Sequence, residues 1–347
     1  MPDSRAADPV RGPLRRVDRY VVALLATVGL ATLLPARGAA ADALDAATKA
    51  AVALLFFLYG VRLSPRAALG GLRHWRLHVP ILLCTFAVFP LLGLAVGRLP
   101  TAVLGPQLAA GLLFLCLLPS TVQSAVAFTS MARGNIAAAI CSASFSTLAG
   151  VLLTPLLTAL LLRGGTVPFS ARQAAGILIQ LVVPFLAGQA ARPLLADLVA
   201  RHRKVTTLCD RGSILLVVYA AFGAGVTAGI WQQVSAGRLL ALLAVCAVLL
   251  TGVLMFTAGC ARLLGFPRED RVTAVFCGST KSLAGGLPMA TVLFASGDVS
   301  LIVLPLMLYH LLQLLVCAVI ARRWTAAAGA GPPSSTPRQV VGDVRER

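Results

Sequence analysis

Two short polar runs interrupt apolar stretches of the chain. The first is Pro119, Ser120, Thr121, Val122, Gln123 and Ser124; the second is Gly278, Ser279, Thr280, Lys281 and Ser282, followed by Gly285, Gly286 and Pro288. Hydroxyls, an amide and an ammonium can hold ions and polar solutes. Acid–base or nucleophilic catalysis would need a partnered carboxylate, imidazole or activated nucleophile beside them. Lys281 stands out most, because a Lys at the centre of a membrane helix costs about 2.5–3.5 kcal/mol to insert and is a functional residue by default. The plainer reading is a tethered cation that stabilises nearby carbonyls and takes no part in turnover.

The elements that carry these runs are set by composition. Of 347 residues, 58% are hydrophobic and 12% charged, against about 45–50% and about 25% in a soluble domain. The chain is therefore an all-α polytopic membrane protein. About 20 apolar residues cross a bilayer, which gives ten spans: 20–34, 44–63, 77–96, 104–131, 136–162, 174–191, 213–231, 239–264, 272–295 and 299–321. Of the 30 Lys and Arg, 23 fall on the side of the N-terminus and 6 on the other, with Lys281 inside a span. Basic residues gather in cytoplasmic loops, so both termini are expected in the cytoplasm, and the net charge of +18 does not call for nucleic acid. An alternative for the first span is a signal peptide, with Arg15 and Arg16 before it and Ala39, Ala40 and Ala41 as a cleavage site. Seven of the eight cysteines lie in spans or at their ends and Cys209 in a basic loop, a pattern of small buried residues without disulfides.

The two breaks fall in the fourth and ninth spans. Each is followed by a turn, Gly134-Asn135 or Gly297-Asp298, where Gly can supply a positive φ and Asn135 or Asp298 can cap the next helix. Pro119 and Pro288 read as ends of half-helices, since neither has an N–H. Five spans then pair with five. Because five is odd, the second set is inverted, the plan of secondary transporters with broken helices at the membrane midplane. The expected layout is a disordered cytoplasmic tail at 1–19, one five-helix repeat at 20–162, a second at 163–324 and a further disordered tail at 325–347.

With the stretches from Pro119 to Asn135 and from Gly278 to Pro288 in view, the sequence resembles the bile acid:sodium symporter superfamily, in its SBF-like branch. The resemblance runs from about Arg19 to Arg323. It implies a panel of spans 1, 2, 6 and 7 and a core of the other six, with broken helices 4 and 9 crossing near the midplane. It also implies two sodium sites, and there the chain departs from the pattern. The acidic residue expected on helix nine is matched by Phe276, and a Gln on helix three by Thr85. The hydroxyl positions of helix five fall on Ala139 and Ala143, beside Ser142 and Ser144, and a Ser-Asn pair on helix four becomes Ser124-Ala125. The expectation is sodium-independent transport with no metal and no cofactor.

Three roles for Lys281 stay open under that resemblance. Its ammonium could fill the space of a bound sodium, donating to Ser120, Thr121, Gln123, Ser279 and Thr280. It could pair with an anionic substrate, aided by half-helix N-termini near Ser120 and Gly286. It could also exchange a proton during transport. His310 and Gln313, one turn apart on the last span, could line the site, although hydrogen bonding between helices accounts for them equally. Ser124, Ser142, Ser282 and Thr85 complete the candidate binding set. Arg133 reads as an interfacial anchor.

Enzyme signatures are absent from the sequence: no HExxH, GxSxG or GxxxxGK[ST]. His74, His78, His202 and His310 do not make a metal-ligand spacing. The expected function is a secondary transporter of a small organic anion in a bacterial inner membrane, working by movement of core against panel. A non-transporting regulatory protein on the same fold, or a proton-coupled carrier, are the alternatives. Carboxylates or sulfonates are the substrates expected; no residue names one, and none fixes an oligomeric state.

Overall fold

The structure, a computed structural model, describes residues 19–62, 74–98, 101–162, 171–227, 229, 234–294 and 299–329. Among the described residues every regular element is a helix, with no strand. The helices are α1 (Arg19–Leu33), α2 (Ala39–Arg62), α3 (Trp75–Val96), the one-turn α4 (Thr101–Leu104), α5 (Pro106–Leu117), α6 (Val122–Met131) and α7 (Ile136–Leu161). They continue as α8 (Ala171–Arg201), α9 (Arg203–Thr227), α10 (Ala236–Leu263), α11 (Arg268–Ser279), α12 (Leu283–Leu293) and α13 (Val299–Gly329). By length and apolarity, seven of them can cross a membrane, or eight spans if the bent pair α5–α6 counts as one. The protein is an integral membrane protein.

Local chemistry sets where these helices start and stop. Pro106 opens α5, where a missing N–H costs nothing. Ser235 caps α10 and Ser282 caps α12 through side-chain oxygens. At α7, Asn135 Oδ1 accepts from the Ala138 N–H at 3.0 Å. The turn before it differs from the sequence expectation. The residue with positive φ is Arg133, at 56°, and not Gly134. The bonds Gly134 N→Thr129 O and Arg133 N→Ser130 O make a Schellman close whose left-handed position is Arg133. Gly134 is needed for space, since a Cβ there would lie 2.6 Å from Val272 Cγ1. Asn135 is also tied to the start of α11: its backbone N–H donates to Glu269 O and its Nδ2 to Asp270 Oδ1. The corresponding second turn, with Gly297 and Asp298, lies outside the described residues.

Two other expectations shift. The polar stretch from Arg192 to Arg211 is helical, with α8 and α9 meeting at His202, so Cys209 lies in a helix and not in a loop. Helix formers such as Leu, Ala and Arg carry both helices past their apolar parts. Likewise α13 continues to Gly329, beyond residue 325 where the sequence places a tail; Thr325 Oγ1 bonds to Met131 O and to Ala321 O. Residues 1–18 and 330–347 are outside the described part.

The helices pack in two groups. In the panel, α2 lies along α8 and α9, and α9 along α1. The contact of α2 with α8 is backbone to backbone at paired glycines: a Cβ on Gly60 would sit 2.1 Å from Phe185 O, and one on Gly188 2.0 Å from Phe57 O. Small residues allow this approach, and in lipid such packing replaces the hydrophobic effect as the force between helices. In the core, α13 packs on α5 and α10, α10 on α11, α6 on α7, and α11 on α3, α6 and α7. Panel and core meet where α9 touches α12 and α13 and where α8 touches α7 and α12.

Candidate functional site

Helices α5 and α6 diverge by 62° across Leu118 to Thr121, and α11 and α12 are parted by Thr280, Lys281 and Ser282. The two breaks meet. Ser282 N donates to Pro119 O at 2.9 Å, and Ser120 Oγ lies 3.1 Å from Thr280 Oγ1. Backbone groups freed in an apolar interior must find partners within the protein or in an aqueous cavity, and several find them within the protein. Leu117 O accepts from Thr154 Oγ1, and Ser120 N–H donates to Ser146 Oγ. Ser279 O accepts from the Tyr309 hydroxyl. Gln313 clamps the Lys281 peptide from both sides: its Oε1 accepts from Lys281 N at 2.8 Å and its Nε2 donates to Lys281 O at 2.9 Å.

Lys281 is 0% exposed. Its ammonium donates to Thr85 O at 3.0 Å, Cys116 O at 3.0 Å and Leu118 O at 2.6 Å, and lies 3.9 Å from the centre of the Phe89 ring. An ammonium has three donors, and all three are used. The acceptors are available for identifiable reasons. Cys116 and Leu118 stand at the C-terminal end of α5, where carbonyls lack helical partners and the helix dipole is negative. Thr85 lies in a π-helical turn, Cys84–Val88, that loosens α3 where a functional site often falls. Phe89 follows that turn and offers its face to the cation. Of the groups expected around the ammonium, Ser279 Oγ bonds to Val275 O, Thr280 Oγ1 to Phe276 O and Ser120 Oγ lies beside Thr280 Oγ1, while Thr121 and Gln123 line a cavity. The carbonyls of Cys116 and Leu118 are at hand because they stand at the end of α5, beside the break that holds Lys281.

A cavity of about 670 Å³ lies between panel and core. Thr121, Gln123, Ser124, Ser282 and His310 line it, as do Ser144 and Thr147. Lys281, Ser120, Thr85, Ser279, Thr280 and Gln313 do not; they are buried and build the crossing. Ser142 belongs to neither, being buried beside His78 with Ser142 Oγ 2.6 Å from His78 Nδ1. The α6 and α12 N-termini, at Val122 and Leu283, open on this cavity. Gly278 and Pro288 are not at the break: Gly278 lies within α11 and Pro288 within α12. A Cβ on Gly278 would meet Thr257 Cγ2 at 2.9 Å, so its role is close packing. Phe276 is fully buried in an aromatic group with Phe128 and Trp324.

The sequence reading missed the panel wall of the cavity, where Arg62, Asp210 and Arg211 join Phe56 and Tyr59. Arg62 Nη1 donates to Asp210 Oδ2 between α2 and α9. Their positions at the basic ends of spans look ordinary in the sequence, and only the packing of α2 on α9 turns them inward.

Comparison with known proteins agrees with this architecture. The pattern of the SBF-like CPA transporter family matches residues 18–326. An uncharacterised protein of Pseudomonas aeruginosa is 51% identical over 324 residues, covering 91% of this chain and 97% of its own. A protein named symporter YfeH of Escherichia coli is 46% identical, covering 89% and 93%. Sodium/bile acid cotransporter 7 of Mus musculus is 29% identical, covering 93% and 97%.

Proposed function

This chain belongs to the SBF-like CPA transporter family, a branch of the bile acid:sodium symporter superfamily, and is a transporter, not an enzyme; from that premise we propose that it carries a small organic anion without sodium, Lys281 supplying the cation. The observation that carries this reading is the cage around Lys281. Three carbonyls and an aromatic face hold one ammonium where two broken helices cross. The charge is built into the chain, so no ion need be loaded to neutralise those carbonyls. Where the resemblance expects a carboxylate for sodium, Phe276 packs against other aromatic rings; a hard cation seeks several oxygens.

The geometry favours the caged cation over the other roles considered for Lys281. A solute in the cavity meets Thr121, Gln123 and Ser282 before it meets a fully buried amine. Proton loss would leave three carbonyls sharing two hydrogens. The anion instead finds the positive ends of α6 and α12, with Ser124 and His310 alongside. The cavity lies between the two helix groups, which supports transport by movement of core against panel. It is also of a size suited to small molecules.

The remaining features of the proposal are ten crossings in two inverted repeats, both termini in the cytoplasm and a place in the bacterial inner membrane. The names of relatives mention symport and sodium with bile acid; the cargo proposed here is a carboxylate or sulfonate. A thermal-shift screen of organic anions on the purified protein tests it. At least one anion should raise the melting temperature in sodium-free buffer. Stabilisation that needs sodium, or none by any anion, would contradict it.

A further inference from the structure

Arg62 and Asp210 form an ion pair between α2 and α9. Arg62 is the last residue of α2 and Asp210 lies in α9. They are joined by one bond, Nη1 to Oδ2, although a guanidinium has five donors and holds a carboxylate best through two parallel bonds. The other carboxylate oxygen, Asp210 Oδ1, is buried and has no partner, in a residue only 8% exposed. Among the described residues the other Arg62 donors have no further partner, and the Arg62 side chain keeps 31% of its exposure. Arg62, Asp210 and Arg211 all line the cavity.

The opposite wall is positive through the α6 and α12 N-termini. The lining also includes the apolar side chains of Phe56, Phe128, Val151, Met289, Met307 and Leu314. We propose that Arg62 is a second anion-binding point and that Asp210 is its internal competitor. A carboxylate of the cargo takes the guanidinium donors that Asp210 leaves unused and displaces Asp210 Oδ2 by like-charge repulsion. The cargo this arrangement fits is an α,ω-dianion with an apolar middle, one acidic group at the half-helix N-termini and the other at Arg62. This inference rests on the anion reading above.

The test compares binding of straight-chain monocarboxylates, from butanoate to dodecanoate, with that of the α,ω-dicarboxylates of equal length. The full-length protein and its Arg62→Gln, Arg62→Lys and Asp210→Asn variants are measured by calorimetry in sodium-free buffer. The best dicarboxylate should bind wild type about tenfold tighter than its monocarboxylate, the worth of one charge-assisted bond. Arg62→Gln should erase that advantage, Arg62→Lys should keep part of it, and Asp210→Asn should tighten dicarboxylate binding several-fold by freeing Arg62. The opposite signs are decisive, because a merely structural pair predicts that Arg62→Gln and Asp210→Asn weaken binding alike. That result, or a dicarboxylate advantage absent from wild type or unchanged in Arg62→Gln, overturns the inference while the anion reading stands. Should Arg62→Gln fail to fold, a reduced but surviving advantage in Arg62→Lys together with a gain in Asp210→Asn supports the inference, and any other pair of results overturns it. Binding of no anion at all removes the anion reading itself.

Discussion

At the scale of the residue, Lys281 is a cation satisfied by neutral groups. Its three carbonyl partners and the Phe89 ring repay the desolvation of a charge that is 0% exposed. Lys281→Met keeps most of the volume but leaves the carbonyls of Thr85, Cys116 and Leu118 without a donor. A buried acceptor that loses its donor costs about 1–3 kcal/mol, so thermal unfolding in detergent should show a drop in melting temperature. An unchanged melting temperature would mean that the cage is loose. Lys281 was legible in the sequence because a charge inside an apolar span has few innocent explanations. Its partners were not, since backbone carbonyls have no sequence signature. Gln313 shows the same limit: its sequence position left lining the site and bonding between helices equally open, and only the fold reveals both its ends on the Lys281 peptide.

At the scale of the element, breaks were easier to read than contacts. A Pro-Ser-Thr run or a Gly-Ser-Thr-Lys run cannot stay a regular membrane helix without partners. The two breaks were placed to within a few residues for that reason. Pro288 misled, because a proline can sit inside a membrane helix when neighbours accommodate its missing N–H. Glycine contacts were invisible beforehand, since a packing glycine and a turn glycine are the same letter. Gly60→Ala or Gly188→Ala would drive a methyl into the facing backbone at 2.1 or 2.0 Å. Each should lower the melting temperature markedly and, by parting α2 from α8, loosen the panel. Gly212→Ala, where nothing lies within 4 Å, serves as control and should be neutral or slightly stabilising, as helix propensity favours Ala by about 1 kcal/mol. Equal effects at all three positions would contradict the close α2–α8 contact.

At the scale of the whole molecule, a cavity lies between two helix groups, and the meeting of the two helix breaks forms part of its core wall. Hydropathy gave the membrane class and the approximate places of the long apolar helices, but not the helical stretch from Arg192 to Arg211. The cavity wall escaped because Arg62 and Asp210 are 148 residues apart in the chain and meet only through packing. The central claim is that the ammonium of Lys281 stands in for a coupling cation. It is tested most directly by uptake of a bound anion into proteoliposomes, with sodium outside replaced by a large organic cation, in wild type and in Lys281→Ala. The account predicts that wild-type uptake is the same in both media and that Lys281→Ala loses it in sodium-free medium. Uptake by wild type that rises with sodium, or by Lys281→Ala that matches wild type, would contradict it.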